Sequence, residues 1–179
     1  RGFGKSTGRR SQKAIKRDDS NIWYYLHLAS IYQIQRNIDS TIVVYEKIVD
    51  LDESKPEYLF NLALLYNEKG DYEKALKVIR KVEAETGVNE RMIYLKHDLY
   101  SKLGKRKDAI KELTNGIDRF PENINLYGLL AEYYAEIGEY GNADSLYDCI
   151  LKKDSVNMNV KLSYADYLLG IGRKEFAFK

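Results

Sequence analysis

The chain has 179 residues, 44% apolar and 31% charged, enough to bury a core beneath a polar surface. Its 29 basic and 27 acidic side chains leave a net charge of +2, which removes the electrostatic case for a dedicated nucleic-acid binder. One cysteine and two prolines exclude a disulfide framework and a proline-rich linker, and no apolar run approaches the roughly 20 residues of a membrane-spanning helix.

In chain order, the run from Gly2 to Thr7 comes first, and its Gly-Lys-Ser tempts a phosphate-loop reading. That motif needs a glycine five residues before Gly4 and a preceding strand, so a turn and the start of a helix is expected instead. Residues 1–21 hold seven basic and two acidic side chains, a local charge of +5 against −3 for the rest. A basic helix can meet acidic lipid or nucleic acid; the plainer reading is a solvated helix face.

From there the chain is periodic. Gly2, Gly70, Gly104, Gly138 and Gly172 share one grid of 34 residues, with Arg36 at the missing node. Thr7, Thr41, Ala75, Ala109, Ala143 and Ala177 form a second column, all small. A third holds Tyr32, Tyr66, Tyr100, Tyr134 and Leu168, and a fourth Ala29, Ala63, His97, Ala131 and Ala165. Several columns keeping one period without insertion mark a repeat array.

Each period reads as two helices. In residues 56–89, Leu59, Leu62, Ala63, Leu65 and Tyr66 recur at helical spacing. Pro56 suits a first helical turn, and Gly70 a left-handed stop. Tyr72, Ala75, Leu76, Ile79 and Val82 give a second stripe, closed by Gly87. Ala63 and Ala75 let two antiparallel helices approach closely.

The pattern Leu62-Ala63, Tyr66, Gly70-Asp71-Tyr72, Ala75 and Ile79 resembles the tetratricopeptide repeat. The resemblance implies an all-α fold, a right-handed α-solenoid of antiparallel helix pairs. Its units are 22–55, 56–89, 90–123, 124–157 and a truncated 158–179, with 1–21 a remnant of a preceding second helix. The third unit is degenerate: Lys96 and His97 stand where the others have Leu or Tyr followed by Ala, and looser packing is expected there. The family's terminal proline appears only at Pro121. An array cut at both ends, closing on Phe176, Ala177 and Phe178, is expected to continue in a longer parent or to associate end to end.

The resemblance also implies a concave groove, lined by the first helix of each unit, that binds a protein or peptide. It places Trp23, Leu26 and Ser30 there, followed by Phe60, Asn61, Leu64 and Asn67. Arg91, Tyr94 and Asp98 continue the row, then Asn125, Gly128, Glu132 and Asp166. The bland alternative is a solvated face. The family's two-carboxylate clamp does not carry over, because its five places hold Leu26, Ser30, Asn61, Arg91 and Leu95. Gly128 replaces the Leu26, Phe60, Tyr94 and Leu162 of the other units. It is expected to open a dent beside Tyr94, Asp98 and Glu132 for a basic or mixed peptide; the alternative is a glycine under a close helix contact.

No catalytic, metal or cofactor site is expected. His27 and His97 have no ligand cluster, His97 reads as a packed, hydrogen-bonded side chain, and Cys149 as a small helix residue. The leading function is a non-catalytic protein-interaction scaffold. The alternative is a regulatory or targeting segment of a larger enzyme or envelope complex. RNA binding by a related helical repeat fits less well, since the groove is partly acidic. Residue usage has a bacterial cast, and arrays of this kind serve in both cytoplasm and cell envelope, so the compartment stays open.

Overall fold

A computed structural model of the chain describes residues 3–154 and 158–173, with side chains from residue 8 onward. Gly2 and the Phe176 and Phe178 rings expected at the raw end lie outside these residues. Ten α-helices and no strand occur among the described residues: α1 (Phe3–Ile15), α2 (Ile22–Ile34), α3 (Ile38–Leu51), α4 (Pro56–Lys69) and α5 (Tyr72–Thr86). They continue as α6 (Glu90–Lys102), α7 (Arg106–Arg119), α8 (Ile124–Glu136), α9 (Tyr140–Lys153) and α10 (Met158–Gly170). Among the described residues no helix is long and apolar enough to cross a membrane.

The turn after each first helix is built the same way five times. The N–H of Gly70 donates to Asn67 O at 3.1 Å and that of Asp71 to Tyr66 O at 2.9 Å. The same two bonds recur at Gly104, Gly138 and Gly172, and at Arg36. This is a Schellman cap, which needs a left-handed residue at its centre. All four glycines have positive φ, and Arg36 has φ 55. The start signals are equally local: Asn21, Asn37 and Asn123 accept backbone N–H bonds as N-caps, and Pro56 opens α4.

Residues 1–92 form one compact unit and 93–179 another. In the first, α1 packs on α2, α2 on α3, α3 on α4 and α4 on α5. Its core centres on Ile48, Ala63, Ala75, Leu76 and Ile79, each at most 1% exposed. Full burial of Ala63 and Ala75 follows from the close approach of α4 and α5.

In the second unit α7 packs on α8, α8 on α9 and α9 on α10. Leu99, Ala109, Leu113, Leu126, Ala131 and Ile150 are all fully buried. The degenerate positions are buried too. Lys96 reaches Glu112 at 2.8 Å, and His97 lies 3.3 Å from the Ala109 carbonyl with its ring edge-on to Tyr133.

Tyrosines brace both units. The hydroxyl of Tyr25 donates to Asp19 O at 3.1 Å, and that of Tyr127 to Pro121 O at 3.2 Å. Each ties a first helix back to the loop before it. Tyr147, Tyr164 and Tyr167 stack between α9 and α10, with centroids 4.7–6.0 Å apart.

Candidate functional site

None of the fourteen groove residues is buried; all are half-buried or exposed. Within the first unit, Trp23 stands in the first turn of α2, 74% exposed, where the Asn21 cap takes its N–H. The Ser30 hydroxyl donates to His27 O at 2.8 Å, which occupies its proton. On α4, Phe60 and Asn61 face the start of α6, and the Arg91 guanidinium lies over the Phe60 ring, 4.5 Å from its centroid.

A cavity of about 420 Å³ opens at this pair. Phe60 and Asn61 of α4, Val82 and Thr86 of α5, and Arg91 and Met92 of α6 form its walls. Trp23, Leu26, Ser30, Leu64 and Asn67 do not line it. Asn61 is held by the Tyr45 hydroxyl, while the Thr86 hydroxyl donates to Val82 O at 2.9 Å. A guanidinium stacked on a ring keeps its N–H donors at the edge, aimed in the plane of the stack. Among the described residues Arg91 meets no carboxylate within ion-pair distance. The site therefore offers an apolar wall, a cation and an amide. Glu57, exposed at the mouth, adds one negative charge.

In the second unit, Tyr94 and the Asn123 amide exchange hydrogen bonds at 3.2 and 3.4 Å. Asp98 is occupied by Lys102 at 2.7 Å. Gly128 is not under a close helix contact, since an added Cβ would meet no heavy atom within 4 Å. Its missing side chain opens a cavity of about 190 Å³ walled by Glu132, Tyr147, Ile150, Asn159 and Ser163.

Tyr94 and Asp98 are not among the walls, so the dent expected beside them opens toward α10 instead. The reason is local: Asn123 holds Tyr94 at the start of α8, and Lys102 holds Asp98 along α6. Burial first, and the Glu132 charge second, push the Tyr147 hydroxyl up to about 12. Asn125 lines this cavity and Asp166 does not. The second-helix walls, Val82, Thr86, Tyr147 and Ile150, escaped the sequence reading because the resemblance assigns the groove to first helices alone. Their place one helix over from each groove position is the signal that was present.

The model of a family described as anaphase-promoting complex, cyclosome, subunit 3 matches residues 34–116. Solved helical-repeat structures match along most of the chain. The chain has the fold of tetratricopeptide-repeat structures.

MamA residues 41 to the end, from Desulfovibrio magneticus RS-1, is similar at a TM-score of 0.68 and 15% identity, over 88% of this chain and 89% of that one. YrrB, titled a tetratricopeptide protein with an unusual peptide-binding site, gives 0.60 and 16% over 93% and 86%. PilW, titled a widely conserved type IV pilus biogenesis factor, gives 0.67 and 19% over 94% and 78%. At these identities the likeness is one of fold. No curated protein sequence matches this chain.

Proposed function

We propose that this chain is a tetratricopeptide-repeat protein acting as a non-catalytic interaction scaffold that takes side chains of a partner peptide or protein into pockets along its first helices. The carrying observation is the Arg91–Phe60 stack at the head of a cavity of about 420 Å³. An apolar side chain next to a carboxylate fits it, the apolar part against Phe60, Val82 and Met92 and the carboxylate at Arg91. The Gly128 cavity, with Glu132 on its wall, suits the long stem and charged head of Lys or Arg.

The test is a peptide library panned against the parent, Phe60→Ala, Arg91→Gln and a Gly128→Leu/Glu132→Gln double variant. Acidic–apolar peptides should be lost from the first two variants. Basic peptides should be lost from the double variant. A library that binds all four proteins alike, or none, rejects the reading.

A further inference from the structure

The five cations from Arg9 to Arg17 do not scatter around the helix. Arg9, Arg10 and Lys13 lie on it, and Lys16 and Arg17 follow at once. Lys16 N–H still donates to Gln12 O at 3.1 Å and Asp18 N–H to Ala14 O at 3.0 Å, so the helical turn continues past Ile15. At 3.6 residues per turn the five positions fall within an arc of about 120°, along about 12 Å of axis. All five are exposed.

The opposite face is committed. Ser11 is 5% exposed with its Oγ 2.7 Å from His27 Nδ1, and α1 packs on α2. Among the described residues none of the five cations has a carboxylate within ion-pair distance. The nearest acid in sequence, Asp18, is taken up by the N–H and hydroxyl of Ser20, which lower its pKa. Thus the stripe presents five cations with no ion pair among them, and residues 1–21 keep a net charge of +5 even with Asp18 and Asp19 ionised.

We infer that this stripe is a second docking surface, separate from the groove, and that its occupant is a short acidic helix of a partner protein. Charge complementarity calls for an anion, and the dimensions choose among anions. A run of about 12 Å matches two turns of helix bearing carboxylates at i, i+3, i+4 and i+7. A long polyanion or an anionic membrane would extend past the stripe and meet a remainder of net charge −3. Among the described residues the stripe itself carries no aromatic side chain on which bases could stack; the hydroxyl of the neighbouring Tyr32 accepts from the Gln12 amide at 3.2 Å.

The experiment is fluorescence anisotropy with a labelled helical peptide carrying Glu at those four positions, and a matched Gln peptide. The proteins are the parent, an Arg9→Gln/Arg10→Gln/Lys13→Gln/Lys16→Gln/Arg17→Gln variant, and an Arg9→Lys/Arg10→Lys/Arg17→Lys variant that keeps the charge. The parent and the lysine variant should bind the Glu peptide about tenfold or more tighter than the glutamine variant. That margin should shrink as salt rises from about 50 to about 300 mM. Equal binding by parent and glutamine variant, or no binding, overturns the surface. Phosphatidylserine vesicles or a short DNA duplex binding the parent more tightly than the Glu peptide overturns the choice of occupant. Circular dichroism of each variant checks that α1 and its neighbours still fold.

Discussion

Lys96 Nζ lies 2.8 Å from the Glu112 carboxylate, with both side chains almost wholly buried. The equivalent places in the other helix pairs hold Leu28 and Val44, Leu62 and Val78, and Leu130 and Leu146. The third pair has thus exchanged an apolar contact for an ionic one, on both sides at once. Removing one partner of such a pair strands the other charge, at about 3–5 kcal/mol, whereas replacing both is often neutral or better. Lys96→Leu alone should destabilise by about 3 kcal/mol. The Lys96→Leu/Glu112→Val double variant should recover most of that loss. Urea unfolding of the two variants and the parent checks this; a double variant as unstable as the single one contradicts the exchange.

A second departure sits at the turn node. Arg36 holds φ 55 where Gly70 holds φ 90, and both cap with the same pair of hydrogen bonds. A left-handed conformation costs a residue with a Cβ about 1–2 kcal/mol, of which glycine gives back about 0.5–1 through its freer unfolded chain. Arg36→Gly should therefore stabilise the protein by about 0.5–1 kcal/mol. A melting temperature equal to or below the parent's would contradict the strain.

Gly116 shows what periodicity hides. Other units place Ile48, Val82 and Ile150 at this position, and Gly116 lies off the glycine grid, so nothing in the sequence marked it as tight. In the structure a Cβ there would come within 2.9 Å of Ile93 Cγ2 and 3.4 Å of Leu126 Cδ1. Glycine to alanine in a helix ordinarily gains about 1 kcal/mol. Here Gly116→Ala should lose stability instead, because Ile93 and Leu126 are at most 1% exposed and have nowhere to move. A gain in chemical-denaturation midpoint would reject the clash.

The columns were legible because caps and close approaches are made by single residue types. A Schellman turn asks for glycine, and a helix crossing asks for alanine, wherever each recurs. Compensated exchanges such as Lys96 with Glu112, or Gly116 with Ile93, depend on residues 16 to 23 positions apart that no column pairs. The groove was legible only as a set of faces. Which members join a cavity depended on side-chain partners: Lys102 withdrew Asp98, Asn123 withdrew Tyr94, and Arg91 settled on Phe60.

The close-approach columns carry a direct test. Ala75 and Ala109 are fully buried in the two units. Ala75→Leu and Ala109→Leu should each destabilise by about 1–3 kcal/mol through overpacking. Thermal melts matching the parent would show that the helices there can separate without cost.

His97 ties stability to pH. Its ring is 6% exposed, edge-on to Tyr133 at 4.9 Å, with Nδ1 near the Ala109 carbonyl. Burial holds its pKa below the ordinary 6.5, against the opposing pull of that carbonyl and of the Asp98 and Glu136 charges. The unfolded chain therefore binds a proton more readily than the folded one. The neutral ring's contribution is complete above pH 6.5 and is lost as pH falls from there through the lowered folded value. His97→Ala restores the small residue of the other units, so its stability at neutral pH reports lost ring contacts, while its pH slope reports the proton. Between about pH 7 and pH 5 the parent should lose more stability than His97→Ala, and the two should converge. Urea midpoints at each pH measure this. Parallel pH curves for the two proteins would mean that the buried ring is protonated as easily as an exposed one.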